Sequence, residues 1–466
     1  MPAGQRLGEL SAWQRKFTRL SKFMEHFSGR RLRAMILPLF VEQLLVMVVG
    51  LTDTLMVSHA GEAAVSGVAL VNQFNIIFLY LFLALASGGA VVISQYIGRK
   101  ENEQAGRTSS QLLLLSIVIS LAVTGFVLSS AEWLLSLLFG RGEPDVMAAC
   151  SRYLQITACG YPAMAVYYAG AAICRSLGKT SITMYITAIA CVLNAVGDFL
   201  GVFLLRAGVA GVAWPFVMAW MISALLITVV CFGKGQAVAY RIRWIFAWNG
   251  ALMRRILSIA IPNGIESGVF QLVKVALTSM AALFGTYQIA ANGVAQSIWS
   301  LAALAGVAMG PVFITVIGQC VGARDLEAAA YYFRKLGKYT LAFSTGWNIL
   351  ILAITPFVLD FYALAPETKK LVLLLVLIHN VFNAGAFPYS GAFSNGLRAA
   401  GDVRFTMTVS LASTIGGRLL LSYVLGIVLN MGVIGLALAM AADWTIRAVV
   451  FLWRERTGKW RNFQVI

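Results

Sequence analysis

Pro38-Leu-Phe-Val-Glu42 and, 224 residues later, Pro262-Asn-Gly-Ile-Glu266 open two stretches that align without a gap as far as Lys100 and Arg324. Thr54 falls on Thr278, Met56 on Met280, Gly61 on Gly285, and Gln95-x-x-Gly98 on Gln319-x-x-Gly322. Only 11 of the 63 positions are identical, so the weight lies on Pro, Glu and Gln coinciding inside otherwise interchangeable apolar sequence. The repeat continues further on, where Arg175-x-x-Gly178 matches Arg398-x-x-Gly401 and Gly208-Val209-x-Gly211 matches Gly432-Val433-x-Gly435. Duplicated hydrophobic units of this size are how many secondary transporters are built.

The sequence around the repeat is equally apolar. The chain has 466 residues, 59% of them hydrophobic and 12% charged, with a mean hydropathy of +0.81, where soluble domains carry about 25% charge. A surplus this large has to face lipid. Twelve stretches reach the about 20 residues a bilayer crossing needs: 33–59, 64–98, 108–139, 145–177, 180–205, 209–232, 256–285, 288–322, 326–359, 367–398, 405–429 and 433–453. Several exceed thirty residues, which predicts tilted or bent helices. The runs are continuously apolar rather than alternating, so an all-α membrane protein is expected, not a barrel. Six spans per repeat start and end on the same side, so the two six-helix lobes are related by a pseudo-twofold along the membrane normal. The expected organisation is a cytoplasmic amphipathic segment at 1–32, one lobe at 33–232, a cytoplasmic linker at 233–255 and a second lobe with a short tail at 256–466.

A net charge of +17 would suit nucleic acid, but its placement argues against that partner. With the N-terminus inside, twenty-nine Lys and Arg fall on the inner side and five on the outer: Arg141, Arg152, Arg206, Lys369 and Lys370. The positive-inside rule then predicts a multi-pass protein of the cell (inner) membrane with both termini cytoplasmic. Ahead of the first span, Leu7, Leu10, Trp13, Phe17, Leu20, Met24 and Phe27 recur at helical spacing between basic residues, the pattern of a helix lying on the inner leaflet. Trp244 and Trp248 read as interface anchors of the linker. The six cysteines show no metal or redox spacing and read as packing residues. No phosphate-binding loop, zinc motif or nucleophile elbow occurs, which argues against an enzyme. The first apolar run is a full span with no cleavage site after it, so no cleavable signal is expected.

Charge inside the spans carries the functional reading, because an ionised side chain at mid-membrane costs roughly 2.5–3.5 kcal/mol even on the mild insertion scale. Asp53 in span 1 and Asp198 in span 5 fall at similar depth in the outer half, and Asn194 stands four residues before Asp198 on the same helix face. Two acids and an amide suit a shared proton or the oxygen ligands of Na+. The structural alternative is a hydrogen-bonded cluster that only joins helices. The second lobe differs: Leu277 stands opposite Asp53, Lys274 lies one turn earlier, and Arg418 falls near the counterpart of Asn194. Asp443 is a partner for either base, as a structural ion pair or beside a substrate. Glu42 and Glu266 hold the same place in both lobes, which favours a shared structural job such as bonding backbone freed by the bend proline; a proton path through Glu42 is the lesser reading. Asn72, Gln73, Asn75, Asn292 and Gln296 are expected to bond between helices or line the cleft between the lobes. His379, Asn380 and Asn383 form a further polar patch in span 10.

Taken together, Pro38-x-x-x-Glu42, Gly50-Leu-Thr-Asp53-Thr54-Leu-Met-Val-Ser58, Gln95-Tyr-Ile-Gly98, Ile261-Pro-x-x-x-Glu266, Ile289-Ala-Ala-Asn292 and Leu397-Arg-x-x-Gly401-Asp402 resemble the multidrug and toxic compound extrusion (MATE) family, in its prokaryotic form, over nearly the whole chain. The resemblance implies a monomeric two-lobed antiporter without a cofactor. It would export amphipathic, often cationic compounds against an inward H+ or Na+ gradient, with the bilayer and the small molecule as its partners. It also implies that Asp53 belongs to the cation site and that Asn194-x-x-x-Asp198 completes it. The second-lobe acids used in another branch of the family are missing here: Phe270 stands at one position, and span 10 has no acid. The rival reading is a related flippase for lipid-linked saccharides, for which Lys274 and Arg418 supply a thin version of the basic cavity.

Overall fold

The structure, a computed structural model, describes residues 27–139, 143–233, 236–362, 364–463 and 465–466. The expected surface helix ahead of span 1 lies, except for Phe27, outside the described residues. The first lobe comprises α1 (Gly29–Ser58), α2 (Glu62–Gly98), α3 (Asn102–Phe139), α4 (Pro144–Ala158), α5 (Tyr161–Ser176), α6 (Thr180–Phe199) and α7 (Ala210–Phe232). A short helix α8 (Ile242–Phe246) leads to the second lobe: α9 (Gly250–Ala281), α10 (Thr286–Gly322), α11 (Leu326–Asp360), α12 (Pro366–Gly385), α13 (Phe393–Ala399), α14 (Val403–Ala412) and α15 (Val433–Arg456). Among the described residues there is no strand. Among the described residues, eleven helical segments are each long and apolar enough to cross a membrane. The expected fourth span is the exception. It breaks into α4 and α5 at Gly160, just ahead of Pro162, whose missing N–H favours the start of a new helix.

Irregular helix falls at matching places in the two lobes. A wide π turn (Leu200–Leu204) extends α6, and two more (Ser413–Leu420 and Tyr423–Val428) extend α14. Glycine explains part of this. A Cβ on Gly201 would lie 2.1 Å from the Gly211 carbonyl oxygen, and one on Gly435 would lie 2.6 Å from the Gly426 nitrogen. The last helices of each lobe therefore cross backbone on backbone, the small-residue mode of membrane packing.

The lobes meet along α2, α10, α9 and α1, and α10 is the most deeply buried span. At the end that carries Arg99, Lys100 and Arg324, here the basic end, the contact is twofold in detail. A Cβ on Gly98 would sit 2.0 Å from the Gln319 carbonyl oxygen, and one on Gly322 would sit 2.0 Å from that of Gln95. Gln95 donates from Nε2 to the Ala399 carbonyl across the lobe boundary (2.8 Å), and Gln319 donates to that of Ser176 (2.7 Å). Phe27 of the first lobe exchanges backbone hydrogen bonds with the Tyr332 hydroxyl of the second (3.0 and 3.1 Å).

The linker docks on α3 instead of hanging free. Gln111 donates to the carbonyls of Trp244 (2.7 Å) and Ala247 (2.8 Å) and accepts from the Asn249 amide (3.0 Å). Trp244 packs against α3 at Gly106, with the Arg241 guanidinium 4.4 Å over its ring, while Trp248 is exposed.

Candidate functional site

α1 and α6 pack side by side and bring the predicted first-lobe residues together. The Asn194 amide nitrogen donates to Asp53 Oδ1 (2.6 Å) and to Asp198 Oδ2 (3.2 Å), so one amide bridges the two carboxyls. Asp198 is fully buried, Asn194 nearly so and Asp53 half-buried, so the cluster opens on the α1 side. The second Asp198 oxygen has no hydrogen-bond partner. α6 holds its end of the site rigidly, because Gly197 abuts Pro215 and Gly201 abuts Gly211 on α7. α1 is softer. Thr52 and Thr54, on either side of Asp53, turn their hydroxyls onto the carbonyls of Val48 (2.9 Å) and Gly50 (2.8 Å), a back-bonding pattern that loosens and bends helices.

Glu42 and Glu266 do share one job, but not the expected bond to backbone freed by the proline. Glu42 accepts from Arg175 (2.6 Å) and from the Thr183 hydroxyl (2.7 Å). Both oxygens of Glu266 accept from Arg398 Nη2 (2.7 and 2.6 Å). Each lobe thus ties its first helix to its fourth span by one buried ion pair. This also corrects the charge tally: Arg175, Arg398 and Arg447 are not loop residues but are buried and paired within the helices. The other twenty-six inner-side basic residues still far outnumber the five outer ones.

In the second lobe Asp443 is fully buried, accepts from the Ser413 hydroxyl (2.6 Å) and is gripped by Arg447, one turn along α15. Arg418 approaches it at 3.9 Å and lies 4.8 Å over the Phe270 ring. Lys274 is exposed, and the ion pair with Asp443 open to either base is made by the arginines alone. A cavity of roughly 190 Å³ adjoins the group, lined by Phe270, Trp299, Phe387, Trp444, Arg447 and the paired Glu266 among others.

The amides divide by lobe. Asn75 accepts from the Tyr161 hydroxyl (2.6 Å) and Asn72 from that of Tyr153 (3.3 Å), joining α2 to the fourth span as expected. Asn292 and Gln296, half-buried on α10, make no side-chain bond to another helix among the described contacts, which leaves the other expectation, that they line the cleft. Asn383 donates to Asn348 (3.0 Å) on α11, whereas both ring nitrogens of His379 and both amide atoms of Asn380 are buried without a partner. Arg447 and Trp299 were not singled out in the sequence. Arg447 carried a readable signal, since it stands four residues after Asp443 on one helix face; Trp299 carried none.

The MatE family model matches residues 38–200 and again 262–424. An uncharacterised transporter of Bacillus subtilis, YisQ, is 27% identical over 91% of the chain and 93% of its own length. A probable multidrug resistance protein of Thermotoga maritima, NorM, is 22% identical over 92% of each chain. Two solved structures share the fold at a TM-score of 0.83. One is a MATE protein in a bent conformation, 19% identical, covering 94% of this chain and 96% of its own. The other is a MOP superfamily transporter from Pyrococcus furiosus for which reversed polarity of the binding pocket suggests a different function; it is 18% identical and covers 92% of this chain and 95% of its own.

Proposed function

The chain belongs to the MatE family and is a multi-pass secondary transporter, not an enzyme, and from that premise we propose that it exports amphipathic organic compounds from the cytoplasm by proton-coupled antiport through alternating access. The observation that carries the coupling is the Asp53–Asn194–Asp198 cluster, the largest concentration of unpaired acid within the described spans. Two adjoining carboxyls in a membrane cannot both stay ionised cheaply, so they take up a shared cation. Asn194 presents its amide nitrogen, not its oxygen, to both acids. A donor there suits carboxyls that share a proton; a bound Na+ would need the amide turned to offer oxygen.

Protons enter the half-open cluster from outside and load it. Loading relieves the repulsion between Asp53 and Asp198 and draws α1 onto α6, and α1 bends at the back-bonded Thr52–Thr54 turn. That movement reshapes the cleft between the lobes while substrate leaves outward. The basic ends of the helices and both termini face the cytoplasm in this reading, with the chain in the inner membrane as a monomer. The ion acts only through its different affinity for the two states.

The test is efflux of a fluorescent amphipathic dye from proteoliposomes, with pH and Na+ gradients imposed separately. An inward proton gradient alone drives the wild type, and Asp53→Asn abolishes transport while inserting normally. Transport by Na+ alone would reassign the ion, and full transport in Asp53→Asn would remove the cluster from the mechanism. A lipid-linked saccharide scrambled in the same vesicles, with no dye efflux, would favour the flippase.

A further inference from the structure

The two lobes carry opposite charge in their membrane-buried interiors. In the first, the Glu42–Arg175 pair is neutral and Asp53 and Asp198 are left over. In the second, the Glu266–Arg398 pair is neutral, and Asp443 faces two arginines, Arg447 in contact and Arg418 at 3.9 Å. One arginine is therefore in excess. A buried cation without a counter-ion costs several kcal/mol. Something negative has to complete this lobe.

Three donor atoms around the excess charge have no acceptor. Nε of Arg447, Nε of Arg418 and the indole nitrogen of Trp299 are buried and unbonded. Arg447 and Trp299 both line the cavity, and Arg447 is only 11% exposed. The acid on the same wall, Glu266, has both oxygens committed to Arg398. The rest of the lining is mixed: Phe270, Phe387 and Trp444 are aromatic, Ser267, Gln271, Ser390 and Thr414 are polar, and Tyr80 comes from α2 of the first lobe. Trp299 stacks on Trp444 with centroids 5.6 Å apart, and Phe387 meets Trp444 edge-on at 5.5 Å. At roughly 190 Å³ the space is smaller than the about 300–1,000 Å³ of drug-sized sites, so it takes one small ring system or the head of a longer molecule.

We propose that the second-lobe cavity is a binding site for aromatic carboxylates, with the ring held among Trp299, Trp444 and Phe387 and the carboxylate accepting from Arg447 and the Trp299 indole. This rests on the transporter reading above and names a substrate class for it. The coupling cation and the organic anion then occupy different lobes, each completing the charge of its own.

The experiment is equilibrium binding of 1-naphthoate to the purified full chain in lipid nanodiscs, with 1-naphthylmethylammonium, of similar shape and opposite charge, as competitor. Naphthoate is expected to bind and the ammonium compound not to displace it. Arg447→Gln should weaken naphthoate about tenfold or more, the scale of a lost charge-assisted bond, with Arg447→Lys recovering part. Trp299→Phe keeps the ring and removes only the N–H, and should weaken binding roughly threefold to tenfold; it also serves if Arg447→Gln does not fold. Equal or better binding of the ammonium compound overturns the proposal, as does wild-type affinity in both Arg447→Gln and Trp299→Phe. Because binding is read without a gradient, its loss alongside proton-driven dye efflux sinks this inference alone. Binding without any gradient-driven efflux sinks the antiport reading alone.

Discussion

Glu42 and Arg175 show what one buried charge does to its neighbours. The glutamate is 4% exposed and satisfied by the arginine, Thr183 and, at 3.5 Å, the Tyr167 hydroxyl. Removing one partner strands the other, which costs about 3–5 kcal/mol in buried pairs, whereas an apolar replacement of both is often neutral. Glu42→Ala is therefore expected to lower the unfolding temperature in detergent sharply, and Glu42→Ala combined with Arg175→Met to recover most of the loss. A double variant no more stable than the single one would mean that Glu42 serves something other than the pair, such as a proton path. The sequence made the symmetry of Glu42 and Glu266 visible but not their partners. Arg175 and Arg398 lie more than 130 residues away and sit beside glycines at helix ends, where a basic residue reads as a loop charge.

At the scale of helices, the glycines of Gln95-x-x-Gly98 and Gln319-x-x-Gly322 set how closely α2 and α10 approach. Any side chain at Gly98 meets the backbone of the opposite lobe, which has no rotamer to give way. Gly98→Val is expected to hold the lobes apart at the basic end. Spin labels at the exposed Lys100 and Arg324 would then report a longer distance than in the wild type, and an unchanged distance would deny the crossing its role. Helix number, helix type and the two-lobe plan were legible because lipid demands long apolar runs and a duplication leaves marks in register. The break at Gly160 was not, since an apolar run of thirty residues looks the same whether or not Pro162 splits it. The second-lobe cavity was only half legible. Lys274, Arg418 and Asp443 stood out as charges in apolar sequence, while its aromatic residues are indistinguishable from ordinary packing until the fold brings α10, the turn after α12 and α15 together.

For the molecule as a whole, the basic end is expected to face the cytoplasm. A membrane-impermeant maleimide applied to intact cells should label a single cysteine at Lys369 and spare one at Lys100; the reverse pattern would invert the topology. Set in that orientation, the joint between the lobes has a further meaning. Its central contacts, Gln95 on Ala399, Gln319 on Ser176, and two glycines on two carbonyls, contain no ionisable group. Those contacts form a seal with no group to titrate; the ionisable groups, Arg99, Lys100, Glu101 and Arg324, stand at its rim. In the proposed mechanism, energy delivered at Asp53 and Asp198 reaches the seal as force along α1 and α6. The seal is also made of two like halves, so under the proposed mechanism it is expected to yield as a pair, leaving no door ajar through which ions would leak.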